Sequence, residues 1–412
     1  MNDFTHQLVD EDELPAGAPR AQAAASLPDA AQRFELADVT DRHDAPELLA
    51  AWRDMLGRGT SPEKLYQSPE FFRCIVESEH GTTRTHALYA VHRRSDGACV
   101  GIVPVRKSAQ EVGFGVGPLR FGGRKLATLQ VLGSVPLLDR SEPGLAAFVF
   151  DSLLRRHPEC QVLSMQAVPA PQVDALDSLA GLTAKVFNGM RGCHTVPLPE
   201  NFDAYLQKFS SKKRYNLTRQ VRLLGAEAGE VQVCRIEAPE QVAGLIEAMR
   251  AILPAGHFAE LANAARLERM ARHGLMHSYV IRCGVQDVAV VLGTRSSDVW
   301  HVHNIAALPK YHALSAGTSA VHLALQDVIT HFSFADADFG YGSPNQDFRA
   351  THVLKHRCTV LVCRARSATA ALLAAHRVWQ HAADGVVARI KEAQRRLKQR
   401  NIAARQAKAA AG

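Results

Sequence analysis

The sequence lacks the features that would place the protein in a membrane or carry it across one. It has no run of about eighteen apolar residues, so no segment predicts a transmembrane helix. Its first residues, MNDFTHQLVDEDELPAG, are acidic, whereas a secretory signal peptide begins with basic residues followed by an apolar stretch. We therefore expect a soluble, cytoplasmic protein.

Several motifs of catalysis and cofactor binding are also missing. The eight cysteines include no CxxC pair and lie mostly in apolar, strand-like runs, which predicts buried free thiols rather than disulfides or a zinc knuckle. No HExxH motif occurs, and no carboxylate joins His352, His356 and Cys358, or His273 and His277, at ligand spacing, so we expect no metal. The absence of a GxSxG elbow argues against a serine hydrolase. No GxGxxG motif precedes a helix, which argues against a nucleotide-binding fold.

Positive charge is concentrated at the C-terminal end. The formal net charge is +7, and residues 385–412 carry eight Lys and Arg against the single Glu392. The first thirty residues oppose this with six acids and only Arg20. The remainder is nearly neutral, so the overall charge gives no indication of general nucleic-acid binding.

The order of predicted elements repeats along the chain. Residues 1–30 lack periodicity and predict a disordered acidic leader. Residues 31–199 and 200–366 each read as a strand, two helices, a meander, a helix and two strands, which predicts two copies of one α/β unit. In the first copy, GFGVGPLRFGG predicts a flexible hairpin over the cleft between the domains. Residues 367–412 keep an apolar face at helical spacing and predict a long, basic C-terminal helix.

The segment from Phe202 to Leu224 predicts one packed helix with a cationic face. Its apolar stripe would be buried and consists of Leu206, Phe209, Leu217, Val221 and Leu224. Its basic stripe contains Lys208, Lys212, Arg219 and Arg222. A solvated basic face explains the second stripe without any function. The functional interpretation is that Lys212, Arg219 and Arg222 hold an anionic substrate or a phosphate.

A second candidate site follows a predicted strand that ends at Ala307 or Leu308. Ser315, Ala316, Gly317 and Thr318 then open a predicted helix. We expect Ser315 to cap that helix, Gly317 to let a ligand approach the backbone, and the first amides to favour a phosphate. An ordinary Ser-capped helix explains the same residues.

These elements together resemble the CelD-like branch of the GCN5-related N-acetyltransferase (GNAT) superfamily, which is associated with cellulose and exopolysaccharide biosynthesis. The basic helix, a three-strand meander, the LSAGTS turn and the strand ending in DFGYG at 338–342 occur in that order between 202 and 365. The resemblance implies tandem GNAT-like domains related to the FemAB peptidyltransferases, of class α/β (α+β), with mixed, mostly antiparallel sheets flanked by helices.

The resemblance also implies a cosubstrate and residues for it. Acetyl-CoA or another acyl-CoA would be bound by Leu308 and by the Ser315–Thr318 turn, without a metal. Where the family usually keeps a lysine after its Gly-x-Gly, this sequence has Arg349, and the next lysine is Lys355. Since arginine cannot act as a base, we assign Arg349 to substrate or phosphate recognition, with Lys355 as the second candidate.

Acyl transfer from a thioester to an amine needs an oriented carbonyl, a base for the ammonium and an acid for the leaving thiolate. Related acetyltransferases often keep a tyrosine near the thiolate, and Tyr341 occupies the corresponding place; a surface turn tyrosine is the alternative. Asp336, Asp338 and His303 are the candidate bases. His301 shares a strand face with His303, which suits the wall of an active site.

We therefore expect an acyl-CoA-dependent N-acyltransferase that modifies an amine of a sugar or of a cell-envelope or exopolysaccharide precursor. The first copy lacks a Ser-x-Gly-Thr turn and is expected to shape the acceptor cleft. The C-terminal helix would either dock on an anionic inner-membrane surface or pack on the second domain. Two alternatives stay open: an aminoacyl-tRNA-dependent, FemAB-like transferase, and a non-catalytic binding module.

Overall fold

The computed structural model describes residues 27–59, 64–79, 84–116, 119–176, 179–341 and 346–410. Residues 1–26, most of the predicted leader, lie outside this part of the chain. The last residues assigned to the leader, Leu27–Ala30, belong instead to the first helix, where Ala30 is buried. The leader prediction is therefore wrong for these four residues.

The first half of the described chain supplies strands and helices in alternation. The strands are β1 (Phe34–Asp38), β2 (His86–Arg93), β3 (Cys99–Val116), β4 (Leu119–Val131), β5 (Leu137–Leu138), β6 (Val162–Pro169) and β7 (Leu182–Pro197). The helices are α1 (Leu27–Arg33), α2 (Pro46–Arg58), α3 (Lys64–Gln67), α4 (Pro69–Val76), α5 (Leu145–Arg156) and α6 (Ala170–Val173).

The second half repeats this pattern and ends in a long helix. Its strands are β8 (Val231–Ile236), β9 (Ser278–Cys283), β10 (Gln286–Arg295), β11 (Val299–Ala307), β12 (Asp336–Tyr341) and β13 (Val353–Arg364). Its helices are α7 (Phe202–Gln207), α8 (Ser211–Ala228), α9 (Val242–Ile252), α10 (Ala255–Leu261), α11 (Ala264–Arg272), α12 (Ala316–His331) and α13 (Ala368–Ala410).

All of these strands belong to one mixed sheet. Its order is β1-β2-β3-β4-β6-β13-β7-β12-β11-β10-β9-β8, with β5 paired to β3. The pairs β4–β6 and β11–β12 are parallel and are connected through α5 and α12, while the other described pairs are antiparallel. The predicted α/β class, with mostly antiparallel strands, flanking helices and a long C-terminal helix, is confirmed.

The two halves exchange their last strands. β13, from the end of the second half, lies between β6 and β7 of the first half. β7 in turn lies between β13 and β12, so it closes the second half. Backbone hydrogen bonds therefore join the two halves continuously, and the predicted sequence boundary near residue 199 does not correspond to a gap in the sheet.

The predicted helix over 202–224 is divided in two. Asn201 caps α7 by accepting from the Ala204 amide at 2.8 Å, and Ser210 caps α8 by accepting from the Lys213 amide at 3.3 Å. Serine competes for backbone hydrogen bonds and favours such caps over helix interiors. The apolar stripe is retained across the break: Leu217 and Leu224 are buried, and so is Phe209 before α8.

The glycine-rich hairpin does not cover the cleft between the halves. Its residues extend the β3–β4 ladder, in which Gly113 pairs with Gly123. The indole Nε1 of Trp379 in α13 donates to the Gly115 carbonyl at 3.0 Å, and the Phe114 ring lies edge-on to the same indole. The hairpin therefore packs against the C-terminal helix through contacts between aromatic rings on both elements.

Helix α13 changes character along its length. Leu373, His376 and Ala383 are buried against the sheet. Beyond them the described side chains are mostly exposed, including Val386 and Ile390. None of the helices in the described residues has the combination of length and apolar character that a membrane span needs.

Truncation after Asp384 should shift the melting temperature by less than about 2 °C, because it removes mostly exposed side chains. A second truncation after Arg366 serves as the control. It also removes Leu373 and His376 and uncovers Phe187, whose ring stacks on His376 at 4.9 Å, so it should lower the melting temperature strongly. A strongly lowered melting temperature after truncation at Asp384 would show instead that residues 385–410 belong to the core.

Candidate active site

A cavity forms where two parallel strands separate. β11 and β12 pair only between Val299–His301 and Asp336–Asp338. A bulge then interrupts the β10–β11 ladder, since Gly293 pairs with Val302 and Leu292 with Asn304, which leaves His303 without a register partner. Bulges bend a strand. Beyond this point β12 continues to pair with β7 but not with β11. The opening between β11 and β12 holds a cavity of about 730 Å³.

The first turn of α12 lies at this cavity. Ser315, Ala316, Gly317 and Thr318 line it together with the end of β11. The first turn of an α-helix has no acceptors for its amides within the helix, and the helix dipole makes this end partially positive. A Cβ atom built on Gly317 would come no closer than 3.9 Å to Ala307, so the position is open on its cavity side.

Ser315 precedes α12 as predicted but does not cap it with its side chain. Its backbone is left-handed, with φ 57° and ψ 39°. Its hydroxyl oxygen accepts instead from the Gln220 side-chain amide of α8 at 3.2 Å. In this left-handed conformation the Ser315 side chain makes no capping hydrogen bond to the amides of α12.

The opposite wall combines aromatic and imidazole groups. Phe339 and Phe348 line the cavity, together with His194 from the exchanged strand β7 and His352. The His194 and His352 rings lie edge to face with centroids 5.8 Å apart. Burial lowers the pKa of His352 to about 4, and its Nδ1 has no hydrogen-bond partner among the described residues. His352 therefore presents a neutral imidazole.

Tyr341 ends β12 at the boundary between two cavities. It lines the cavity beside α12 and also a second cavity of about 490 Å³ in the first half. Its side chain is 36% exposed. The Arg191 guanidinium lies 4.2 Å from the centre of its ring, a cation–π contact that holds the ring in place.

The other predicted catalytic residues lie away from the cavity beside α12. Asp338 is 4% exposed and accepts from Arg357 Nη2 at 2.7 Å and from the Gly340 amide at 2.8 Å. Its carboxylate is thus neutralised by a buried cation, which favours a structural role over that of a base. Asp336 also faces a cation, with Lys355 Nζ at 3.7 Å.

His301 and His303 do share a face, but they do not line either cavity. Their rings are nearly parallel, with centroids 6.5 Å apart. Burial lowers the pKa of His301 to about 4. His303 is exposed, and its Nε2 lies 2.7 Å from the Thr294 hydroxyl. Surrounding protein atoms nevertheless lower its pKa.

The predicted substrate-binding cations lie on the outer surface. Lys212, Arg219 and Arg222 are exposed on α8, which packs against α12, and they line neither cavity. Leu308 packs beside the cluster formed by α9 and does not line the cavity. Arg349 lies in a 3₁₀ helix, Gln346–Thr351, and its side chain lies outside the described part of the chain.

The potential metal ligands and nucleophiles do not form a second site. Within the described residues no group of three or more His, Cys, Asp and Glu side chains is arranged to hold a metal ion. All eight cysteines are free thiols, and six of them are buried. Burial raises the pKa of Cys74 and Cys358 to about 12, so neither supplies a thiolate near neutral pH.

The fold and one segment of the sequence are similar to those of known proteins. Residues 211–350 match the family model described as acetyltransferase (GNAT) domain. This segment carries a GNAT domain. The match covers about a third of the chain and includes β11, the first turn of α12 and Tyr341. No curated protein matches the sequence.

The structure of FemX resembles this chain with a TM-score of 0.53 at 10% identity, over 76% of this chain and 95% of that one. A tandem GNAT protein from the clavulanic acid biosynthesis pathway has a TM-score of 0.48 at 16% identity, and the match covers 81% of this chain and 99% of that one. L-PGS from Bacillus licheniformis has a TM-score of 0.48 at 12% identity, and the match covers 81% of this chain and 96% of that one. With the GNAT domain and the repeated topology, the likeness to FemX supports a tandem GNAT-like fold.

Proposed function

We propose that the protein is an acyl-CoA-dependent N-acyltransferase, acting with acetyl-CoA or another acyl-CoA. One observation carries the proposal: the first turn of α12 opens onto the cavity between the separated strands β11 and β12. The acceptor would be an amine of a sugar or of a cell-envelope or exopolysaccharide precursor. That choice of acceptor rests on the CelD-like sequence pattern.

The residues that line the cavity suit an acyl-CoA ligand. The amides of Ala316, Gly317 and Thr318 would bind its pyrophosphate. The edge of β11 after His301 is released from β12 and can hydrogen-bond an extended chain. Lys212, Arg219 and Arg222 belong to α8, which packs against α12, and we propose that they contact an outlying phosphate. Arg349 is proposed for the same class of contact.

Proton transfer is assigned to the groups at the far end of the cavity. Tyr341 would donate its hydroxyl proton to the departing thiolate. His194, His312 and His352 line the cavity, and we assign the proton released by the acceptor ammonium to His194, whose ring contacts that of His352. Asp338 then acts through Arg357 as a positioning residue, and His303 supports the bulge in β11.

Replacing Gly317 by Asp should weaken CoA binding by about tenfold or more, because a carboxylate would face the phosphates at the helix start. Calorimetric titration of CoA measures the effect. Gly244→Asp is the matched control, since Gly244 lies exposed on α9 with open space around it and away from the cavity. Undiminished affinity in Gly317→Asp would contradict the proposed site.

The C-terminal helix suggests where the enzyme works. Its exposed part carries Arg389, Lys391, Arg395 and Arg396 beside Val386 and Ile390. Each Lys or Arg near an anionic bilayer contributes about 1 kcal/mol to binding. We propose peripheral docking on the cytoplasmic side of the inner membrane, and the chain truncated after Asp384 should lose co-sedimentation with anionic liposomes.

A second candidate is an aminoacyl-tRNA-dependent transferase. The fold shared with FemX and the exposed basic helix α13 favour it. Salt-sensitive binding of tRNA that is lost on truncation after Asp384, together with no CoA binding, would support this candidate over acyl-CoA. Binding of neither ligand would favour the non-catalytic module.

A further inference from the structure

The first half contains its own strand separation. β4 and β6 pair in parallel from Thr128–Val131 to Val162–Met165 and then diverge. The second cavity, of about 490 Å³, lies beyond this point and is lined on one side by Tyr66 of α3 and by Phe71 and Ile75 of α4. It thus occupies the position that corresponds to the cavity beside α12.

The helix that follows β4 is not suited to a phosphate. Glu142 lies just before α5, and its carboxylate pairs with Arg33 and Arg93. Gly144 precedes the first turn of α5 without a side-chain cap. No residue of α5 among those described lines the cavity, so the start of this helix does not face it. This cavity therefore needs a different chemistry of recognition.

The charged side chains that line the second cavity are two arginines, and neutral polar side chains accompany them. Arg106 from β3 and Arg191 from β7 line it, together with Gln130, Gln166 and Asn188. Arg106 Nη2 donates to Gln130 Oε1 at 3.1 Å. No described acidic residue lines the cavity, so its described lining carries the two arginine charges and no negative one. Two guanidinium groups with adjacent amides match an oxyanion.

The backbone around these groups is strained. Ala167 and Asn188 have positive φ values of 52° and 59°, and both line this cavity. In the ladder with β13, the residues 188–190 of β7 stand opposite Cys358 alone, because Arg357 pairs with Arg191 and Thr359 with Phe187. Ser315, at the cavity beside α12, has the same kind of backbone. Such strain concentrates at functional sites.

We propose that the second cavity binds an anionic group of the acceptor, a phosphate or a carboxylate, through Arg106 and Arg191. This inference rests on the proposed function, since it makes the bound molecule the acyl acceptor. Tyr341 lines both cavities, so an acceptor anchored here presents its amine beside the tyrosine and toward the thioester. The first half thus selects an anionic acceptor, and the second half holds the acyl donor.

The test is calorimetric titration of inorganic phosphate and, separately, succinate into the full chain. The anion that binds more tightly identifies the group. Its affinity should fall about tenfold or more in Arg106→Gln/Arg191→Gln and stay unchanged in Arg120→Gln/Arg124→Gln, whose arginines lie on the exposed hairpin. It should also persist in Gly317→Asp, which separates this site from the start of α12.

Arg106→Gln alone is the second variant, because Arg191 also contacts Tyr341. This variant should lower the affinity for the anion and leave the affinity for CoA as in the wild type. The unchanged CoA affinity would show that the variant is folded. Binding of neither anion, or undiminished affinity in both arginine variants, would overturn the inference. Anion binding that follows the prediction without any CoA binding would instead contradict the proposed function and leave the anion site standing.

Discussion

Tyr341→Phe should lower kcat by about 10²-fold or more and leave CoA affinity unchanged, because a phenyl ring keeps the packing but cannot donate a proton. The ring would retain its place under Arg191, which lies 4.2 Å from its centre. The loss would then fall on the hydroxyl alone. Thiol release from acetyl-CoA, measured with an amine that the wild type acylates, gives kcat, and calorimetry gives the CoA affinity.

Tyr311→Phe is the matched control for this variant. Tyr311 lies just before α12 and does not line the cavity. Its hydroxyl donates to Gln286 Oε1 at 3.1 Å. Its removal should leave kcat close to the wild-type value. Full activity in Tyr341→Phe would show that another group protonates the thiolate and that Tyr341 serves only as a wall.

Arg357→Met should lower the free energy of unfolding by about 3–5 kcal/mol, because it leaves the Asp338 carboxylate buried without a cation. Arg357 and Asp338 are 2% and 4% exposed, and their side chains meet at 2.7 Å. Arg357 belongs to β13 and Asp338 to β12, so the pair spans β7, the strand contributed by the first half. Urea denaturation, read as the shift in the midpoint, measures the loss.

The double variant Arg357→Met/Asp338→Asn tests the physical reason. If the cost arises from an uncompensated charge, removing the carboxylate as well should recover much of the lost stability. Equal loss in the single and double variants would show that packing of the Arg357 side chain, rather than its charge, stabilises the exchanged strands.

Local patterns predicted most of the elements. The apolar run HALYAVHR forms β2 with the bounds His86–Arg93, and the apolar positions after Gly317 form the buried face of α12. These predictions succeed because strand and helix periodicities are properties of neighbouring residues. The same local reasoning predicted a helix start at Ser315–Thr318, where α12 begins, whereas the predicted capping role of Ser315 was wrong because its backbone is left-handed.

Non-local pairing explains what the sequence did not reveal. Nothing near residue 194 signals that β7 crosses into the second half, so His194 was not predicted at the cavity. The same exchange places Arg357 beside Asp338, which made a candidate base into a buried ion pair. His352 was weighed only as a metal ligand, since its place opposite α12 depends on the end of β12 and the chain that follows it. The position of Arg191 at the second cavity likewise depends on the bulge in β7, which the sequence does not signal.

Amide hydrogen exchange with and without CoA tests the central claim most directly. The amides of Ala316, Gly317 and Thr318 stand in the first turn of α12, where the helix offers no acceptors of its own. Bound pyrophosphate should slow their exchange, and the freed edge of β11 over residues 304–307 should be protected with them. Unchanged exchange at both places under saturating CoA, or protection confined to another part of the chain, would contradict the account.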